Sequence, residues 1–404
     1  MTTSTNILSS TLALLRDTPR PARIGLALFF VAGLADGVLI PFFALWAQQD
    51  AGIATEYIGL LFGCYAGGEL VATPLVGGIA DRIGRRPTLL ISTAGVGLGF
   101  LLLYFTRGAW AAAAALLLIG MFESVLHPTA ATVIADTVPA DRLRRYFSLT
   151  RMMSNAGSMI GPALGALLAL WSLGLVFVGA GACLLIGTGI VAIGLSETRQ
   201  RTGEADDDDD GLVALTAAFR DRRLAFLLLP VAIMEIALSW IEAVTPLYAN
   251  NAGTLTPSGV GLLFTYAGAL GVLFQLPVTE ASSRMSGSKI VLIAGAAQAL
   301  AFACLLSSTA LPLLVAAVSF LALSGMLVRP LTQVIVTELA PANARATYLA
   351  AFAAVGDFKD TIGPATGVYL YAVAATLPWL VGLPAAALAT LALAVVARRH
   401  ERGG

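Results

Sequence analysis

The second half of this chain repeats the first. Residues 128–162 align with 330–364 without a gap, placing Asp136 on Glu338, Pro139 on Pro341, Tyr146 on Tyr348 and Gly161-Pro162 on Gly363-Pro364. The offset (330 − 128 = 202) is half of the 404 residues. Upstream, the same offset carries Gly59-Leu60-Leu61-Phe62 onto Gly261-Leu262-Leu263-Phe264. A duplicated chain folds as two similar units, each burying its own apolar faces. In a strongly apolar chain such a duplication points to secondary transport, with a binding site between the halves.

The chain is apolar enough for that reading. Hydrophobic residues make up 58% and charged residues 12%, about half the charge of a soluble domain. Twelve apolar runs are each long enough to cross a bilayer. They cover 24–48, 57–80, 88–106, 110–136, 146–171, 174–195, 224–249, 258–281, 289–307, 311–338, 346–372 and 377–397. Backbone polar groups in lipid must be satisfied within the segment, so helices are expected. The expected fold is an all-α membrane protein of 12 transmembrane helices in two pseudo-symmetric six-helix bundles. The division is 1–195 for the first bundle, 196–223 for a linker and 224–404 for the second bundle. Twenty of the 24 Lys and Arg residues fall in one set of alternate connections. That bias predicts an inner-membrane protein with both termini cytoplasmic. The N-terminal basic stretch shows no cleavable signal pattern. The linker holds five consecutive acids, Asp206 to Asp210, which repel one another and stay solvated.

The connection between the second and third runs reads Gly77-Gly78-Ile79-Ala80-Asp81-Arg82-Ile83-Gly84-Arg85-Arg86-Pro87. Glycines suit a tight turn between helices, and an acid there can accept from helix N-termini or pair with arginine. This loop resembles the signature loop of the major facilitator superfamily, with Ile79 where Leu is usual. The resemblance implies a conformational clasp built from Gly77, Asp81, Arg82, Gly84, Arg85 and Arg86, with Asp136 and Arg151 nearby. The basic residues also set topology, and both roles are compatible. The corresponding stretch of the second half, Ser282 to Lys289, keeps Arg284 but lacks the acid. In the fifth run, Gly157, Gly161, Pro162 and Gly165 are similar to the glycine-proline motif of the superfamily's exporters. Gly363 and Pro364 repeat it in the eleventh. Small residues four apart also let helices pack closely with no export role.

Charges inside apolar runs are costly and ask for a function. Seven acids stand there: Asp36, Glu69, Glu123, Glu235, Glu242, Asp357 and Asp360. Arg151, Arg329, Lys359 and His127 face them. Full pairing leaves acids over, and an unpaired buried carboxylate takes up a proton or a cationic partner. Asp136 and Glu338, at the ends of their runs, suit a structural role such as pairing with Arg151 or Arg345. Glu123 and His127 share a helix face, and Arg329 holds the repeat position of His127. Gln333 lies one turn beyond Arg329. Trp240, beside Glu242, is expected to line the cavity, whereas Trp46 and Tyr248 suit an interfacial belt.

These residues outline a cavity for protons and a small substrate. The resemblance implies a drug/proton antiporter working in the lipid bilayer as a monomer, without a cofactor and without nucleic acid. That branch usually carries an Arg in the fourth span, and Leu116 to Met121 contains none. A symporter that imports a metabolite, anchoring an anionic group on Arg329 and Lys359, is the alternative. Lipid movement is a further one. No enzyme is expected. With only His127 and His400, and with Cys64, Cys183 and Cys304 far apart, no metal cluster is expected either.

Overall fold

The computed structural model describes residues 18–139, 142–197, 220–341 and 345–403, and among them every long element is a helix. In chain order these are α1 (Arg20–Gln49), α2 (Thr55–Ile83), α3 (Arg85–Phe105), α4 (Ala109–Thr137), α5 (Leu143–Leu168) and α6 (Leu173–Gly194). The second series is α7 (Arg222–Asn251), α8 (Pro257–Ser282), α9 (Gly287–Ser307), α10 (Leu311–Leu339), α11 (Arg345–Val373) and α12 (Leu377–Gly403). Nine of the described helices are long and apolar enough to cross a membrane. Large apolar side chains stand on the surface, among them Trp110, Ile193, Leu70 and Leu276. Water does not tolerate so much contiguous apolar surface, and lipid does. The Asp206 to Asp210 run lies outside the described residues.

The chain packs as two compact units. One takes Met1–Leu39 and Cys64–Thr202, the other Ile40–Gly63 and Gly203–Gly404. The end of α1 and the start of α2 therefore belong to the second unit, a grouping that the repeat does not announce. In the first unit α3 packs on α4 and α6. In the second, α9 packs on α10 and α12 in the same way, and α7 packs on α11. Trp46 is fully buried beside Phe43. This corrects the expected place of that indole at the membrane interface.

Glycine decides the α1–α5 crossing. A methyl group at Gly157 would collide with the Phe30 carbonyl, and one at Gly33 with the Ser154 carbonyl. One turn further, a Cβ on Gly37 would sit 2.6 Å from the Ser158 carbonyl. Ser158 Oγ donates to the Gly33 carbonyl at 3.0 Å across the same seam. Helices in lipid gain little from apolar burial against each other, so van der Waals contact of this closeness holds them.

Both units fasten the start of their first helix to a tyrosine. Thr18 Oγ1 and the Tyr146 hydroxyl are 3.0 Å apart. In the second unit the Tyr348 hydroxyl donates to Asp221 Oδ2 at 2.6 Å. Asp221 also caps α7, accepting from the Arg223 amide at 2.8 Å. The Tyr348 hydrogen bond is the main influence that holds the Asp221 carboxyl below its ordinary value.

Two outcomes test this packing. Gly157→Ala, which forces a methyl into backbone, should cost about 1–3 kcal/mol in detergent unfolding. Gly189→Ala, where nothing lies within 4 Å, should be close to neutral; equal effects would refute the crossing. For Asp221 the folded pKa is lowered, so its stabilisation is full above the unfolded carboxylate value and fades as pH falls through the folded one. The Tm gap between wild type and Tyr348→Phe should stay level from roughly pH 7 to 5 and narrow below about pH 4. A gap that widens on acidification would count against it.

Candidate functional site

The first unit gathers its ionisable groups around α4. Glu123 and His127 lie one turn apart, and Glu123 is only 3% exposed. From α2, the Tyr65 hydroxyl donates to Glu123 Oε2 at 2.9 Å. The other carboxylate oxygen, Oε1, stands 3.9 Å from His127 Nε2, too far for a hydrogen bond. Asp36 comes in from α1. One donor atom each of Asp36, Glu123 and His127 lies within 4.8 Å of the others. Phe29 leans on the imidazole with ring centres 5.3 Å apart. Glu69, one turn from Tyr65 on α2, adds negative charge to the surroundings of Glu123.

Backbone contact makes this cluster possible. A methyl group at Gly120 would collide with the Tyr65 carbonyl, and one at Gly68 with the Leu117 carbonyl. Without side chains there, α2 and α4 approach closely enough for a phenol on one to reach a carboxylate on the other. Carboxylates this near to each other in an apolar bundle repel, so a proton or a cation must join them.

The second unit balances its charges differently. Arg329 on α10 grips Glu235 on α7 with two parallel bonds, Nε to Oε1 at 3.1 Å and Nη2 to Oε2 at 2.9 Å. Lys359 on α11 is buried, and its Nζ lies 2.6 Å from Asp360 Oδ1. Glu242 sits in the field of Lys359 and Arg329. The repeat explains the difference. At the 202-residue offset, Gly33 becomes Glu235 and Gly157 becomes Lys359. The first unit's glycine contact is thus replaced by charged side chains. One turn on, Gly37 and Gly161 become Ser239 and Gly363, which remain in tight contact.

Other expected site residues fall elsewhere. Trp240 is buried, and its indole N–H donates to Thr366 Oγ1 at 2.8 Å. It packs against Gly367, so the ring fills the α7–α11 crossing, in place of the expected cavity role. Gln333 is exposed. The side chain of Asp357 lies outside the described set, as do those of Asp81 and Arg82 and the surroundings of Gly77.

The described part of the signature loop is an anchored corner. Gly84 adopts φ 100°, open to glycine alone at little cost. Glu197, beyond α6, accepts from the Arg85 amide at 2.9 Å and the Arg86 amide at 3.3 Å. It caps the α3 N-terminus. Arg86 donates to the Ala192 carbonyl at 2.8 Å. Asp136 pairs with Arg85 at 3.4 Å, bracing the loop as one of its expected structural roles, whereas Arg151, an alternative partner, is exposed. In the second unit Glu401 caps α9 through the Ser288 amide at 3.1 Å. Glu338 meets His400 at 2.7 Å. Sequence reading missed Glu197, Glu401 and His400; their signal was an ionisable group just past the last apolar run of each half.

Comparison with known proteins agrees with this architecture. The family described as Major Facilitator Superfamily matches residues 25–255. The tetracycline resistance protein, class C, of Escherichia coli is 26% identical over 82% of this chain and 84% of its own length. The quinolone resistance protein NorA of Staphylococcus aureus is 22% identical over 61% of this chain and 63% of its own. Among solved structures, the nucleoside transporter NupG superposes with a TM-score of 0.77 at 14% identity. The alignment covers 94% of this chain and 98% of that one. At that identity the likeness concerns the fold.

The Glu235–Arg329 pair yields an asymmetric prediction. Arg329→Met leaves a carboxylate buried and unpaired. It should cost about 1–3 kcal/mol, less than a fully buried pair because the arginine is half exposed. Glu235→Gln should cost less, and the double variant should resemble Glu235→Gln alone. Additive losses in thermal unfolding would refute the pairing.

Proposed function

We propose that this chain, which belongs to the major facilitator superfamily, is a proton-coupled exporter of small cationic or amphipathic compounds, working by alternating access. One observation carries the reading. Glu123 is buried beside a second carboxylate, and no described Lys or Arg is paired with it. Such a group holds a proton when no cation is present and yields it to a cation that enters. Uptake of protons and release of a cationic substrate then exclude each other at one place, which is the requirement for exchange. Relatives named for tetracycline and quinolone resistance support a drug-like substrate.

In this proposal twelve helices span the inner membrane as two six-helix bundles, 1–195 and 224–404, joined by the cytoplasmic linker 196–223. Both termini lie in the cytoplasm, and the monomer is the working form. Asp81 and its neighbouring arginines act as a clasp at the cytoplasmic ends. Asp36 and Glu123 exchange the proton. In the second unit Glu242, with Asp360 nearby, meets the substrate's positive charge. Import of a small metabolite remains the second reading, favoured by Arg329, which is half exposed and so within reach of an anionic group.

Everted vesicles decide between them. An imposed pH gradient should drive a cationic dye or antibiotic into everted vesicles and not into right-side-out ones. Asp36→Asn and Glu123→Gln should reduce this to the level of vesicles lacking the protein, while the purified variants remain folded. Normal rates with an unchanged pH dependence in both variants would refute the assignment of coupling to these acids.

A further inference from the structure

We propose that Asp36, Glu123 and His127 form a binding site for one divalent first-row transition-metal ion, of the zinc, cobalt or manganese type. The inference shares two acids with the coupling site above but rests on the geometry of the donor atoms alone.

The three donors converge on one place. Glu123 Oε1 and His127 Nε2 are 3.9 Å apart, and the Asp36 carboxylate completes a triangle with no side longer than 4.8 Å. Two ligands on one zinc-sized ion stand roughly 3–4 Å apart, given bonds of about 2.0–2.2 Å. Small rotations of these side chains therefore close the triangle on an ion.

Charge and donor type narrow the ligand. Two carboxylates and a neutral imidazole carry two negative charges, which a divalent cation neutralises in full. Imidazole nitrogen favours zinc, cobalt and related ions over magnesium or calcium, which take oxygen. Tyr65 acts from outside the triangle. Its hydroxyl fixes Glu123 Oε2 and so turns Oε1 toward the other donors, the usual work of an outer partner at a metal ligand. Phe29 limits the swing of the imidazole. Three protein donors leave positions open for water or for a donor atom of a chelating compound.

Cobalt(II) titration of tag-free purified protein, read by visible absorption, tests the site. One equivalent should bring up ligand-field bands that zinc abolishes. His127→Gln and Glu123→Gln should each remove them, and Tyr65→Phe should weaken binding about 10–100-fold. His400→Gln, which removes the second of the chain's two histidines, should leave the bands intact. If Glu123→Gln does not fold, His127→Gln decides alone. Absence of bands in the wild type, or bands that survive His127→Gln, would overturn the site. Efflux driven by pH in chelator-treated vesicles, together with no cobalt binding, would overturn this inference and leave the transport reading standing. Cobalt binding without pH-driven efflux would do the reverse.

Discussion

A carboxylate carried into an apolar helix bundle has to be neutralised, and this chain meets that demand in two ways. In the second unit the answer is a fixed counter-ion. Arg329 holds Glu235 through both carboxylate oxygens, and Lys359 stands beside Asp360. In the first unit the described neighbours of Glu123 are a phenol, an imidazole and further acids. A fixed counter-ion makes a charge structural. Its absence leaves the charge to be completed by something mobile, and a transporter needs such a place.

The two solutions follow from one ancestral crossing. In the first unit, Gly33 and Gly157 bring α1 and α5 into backbone contact. In the second, the same two positions hold Glu235 and Lys359. Glycine there keeps the crossing tight and uncharged, and the first unit carries its acids on neighbouring faces. Long ionic side chains there spread charge through the crossing, which then depends on Ser239 against Gly363 and Trp240 against Gly367 for its close contact. The duplication conserves the fold, and the substitutions within it separate the chemistry of the halves.

Much of the fold was legible before any coordinates. The apolar runs anticipated the described helices to within about four residues, except that α12 runs six residues past its run to Gly403, because length and hydropathy are local properties and the polar last turn of α12 carries neither signal. The glycine spacing at Gly157 and Gly161 marked a close crossing for the same reason. Partners were harder to read. Asp136 met Arg85, and Trp240 filled a helix crossing, because pairing depends on how helices rotate about their axes and on which loop returns past which end. The convergence of Asp36 on Glu123 and His127 joins residues almost ninety positions apart. No spacing rule reaches that far. The Ile40–Gly63 grouping was hidden because a repeat in sequence says nothing of which ends pack together.

The ends of the helices show what each unit must keep rigid while charges change inside it. Tyr146 and Tyr348 each tie the start of a unit's first helix to its fifth. Glu197, just past α6, and Glu401, in the last turn of α12, each cap the third helix of their unit. These four contacts recur at corresponding places although the residues between them have diverged. Each joins elements distant in sequence, tying the first helix to the fifth and the third to the sixth at their ends. In the proposed exchange, a proton or cation at Glu123 would act within a unit braced in this way, so that a change in local charge could be relieved by movement of the braced helices together. Alternating access requires that kind of coupling between a small charge and a large, stiff element.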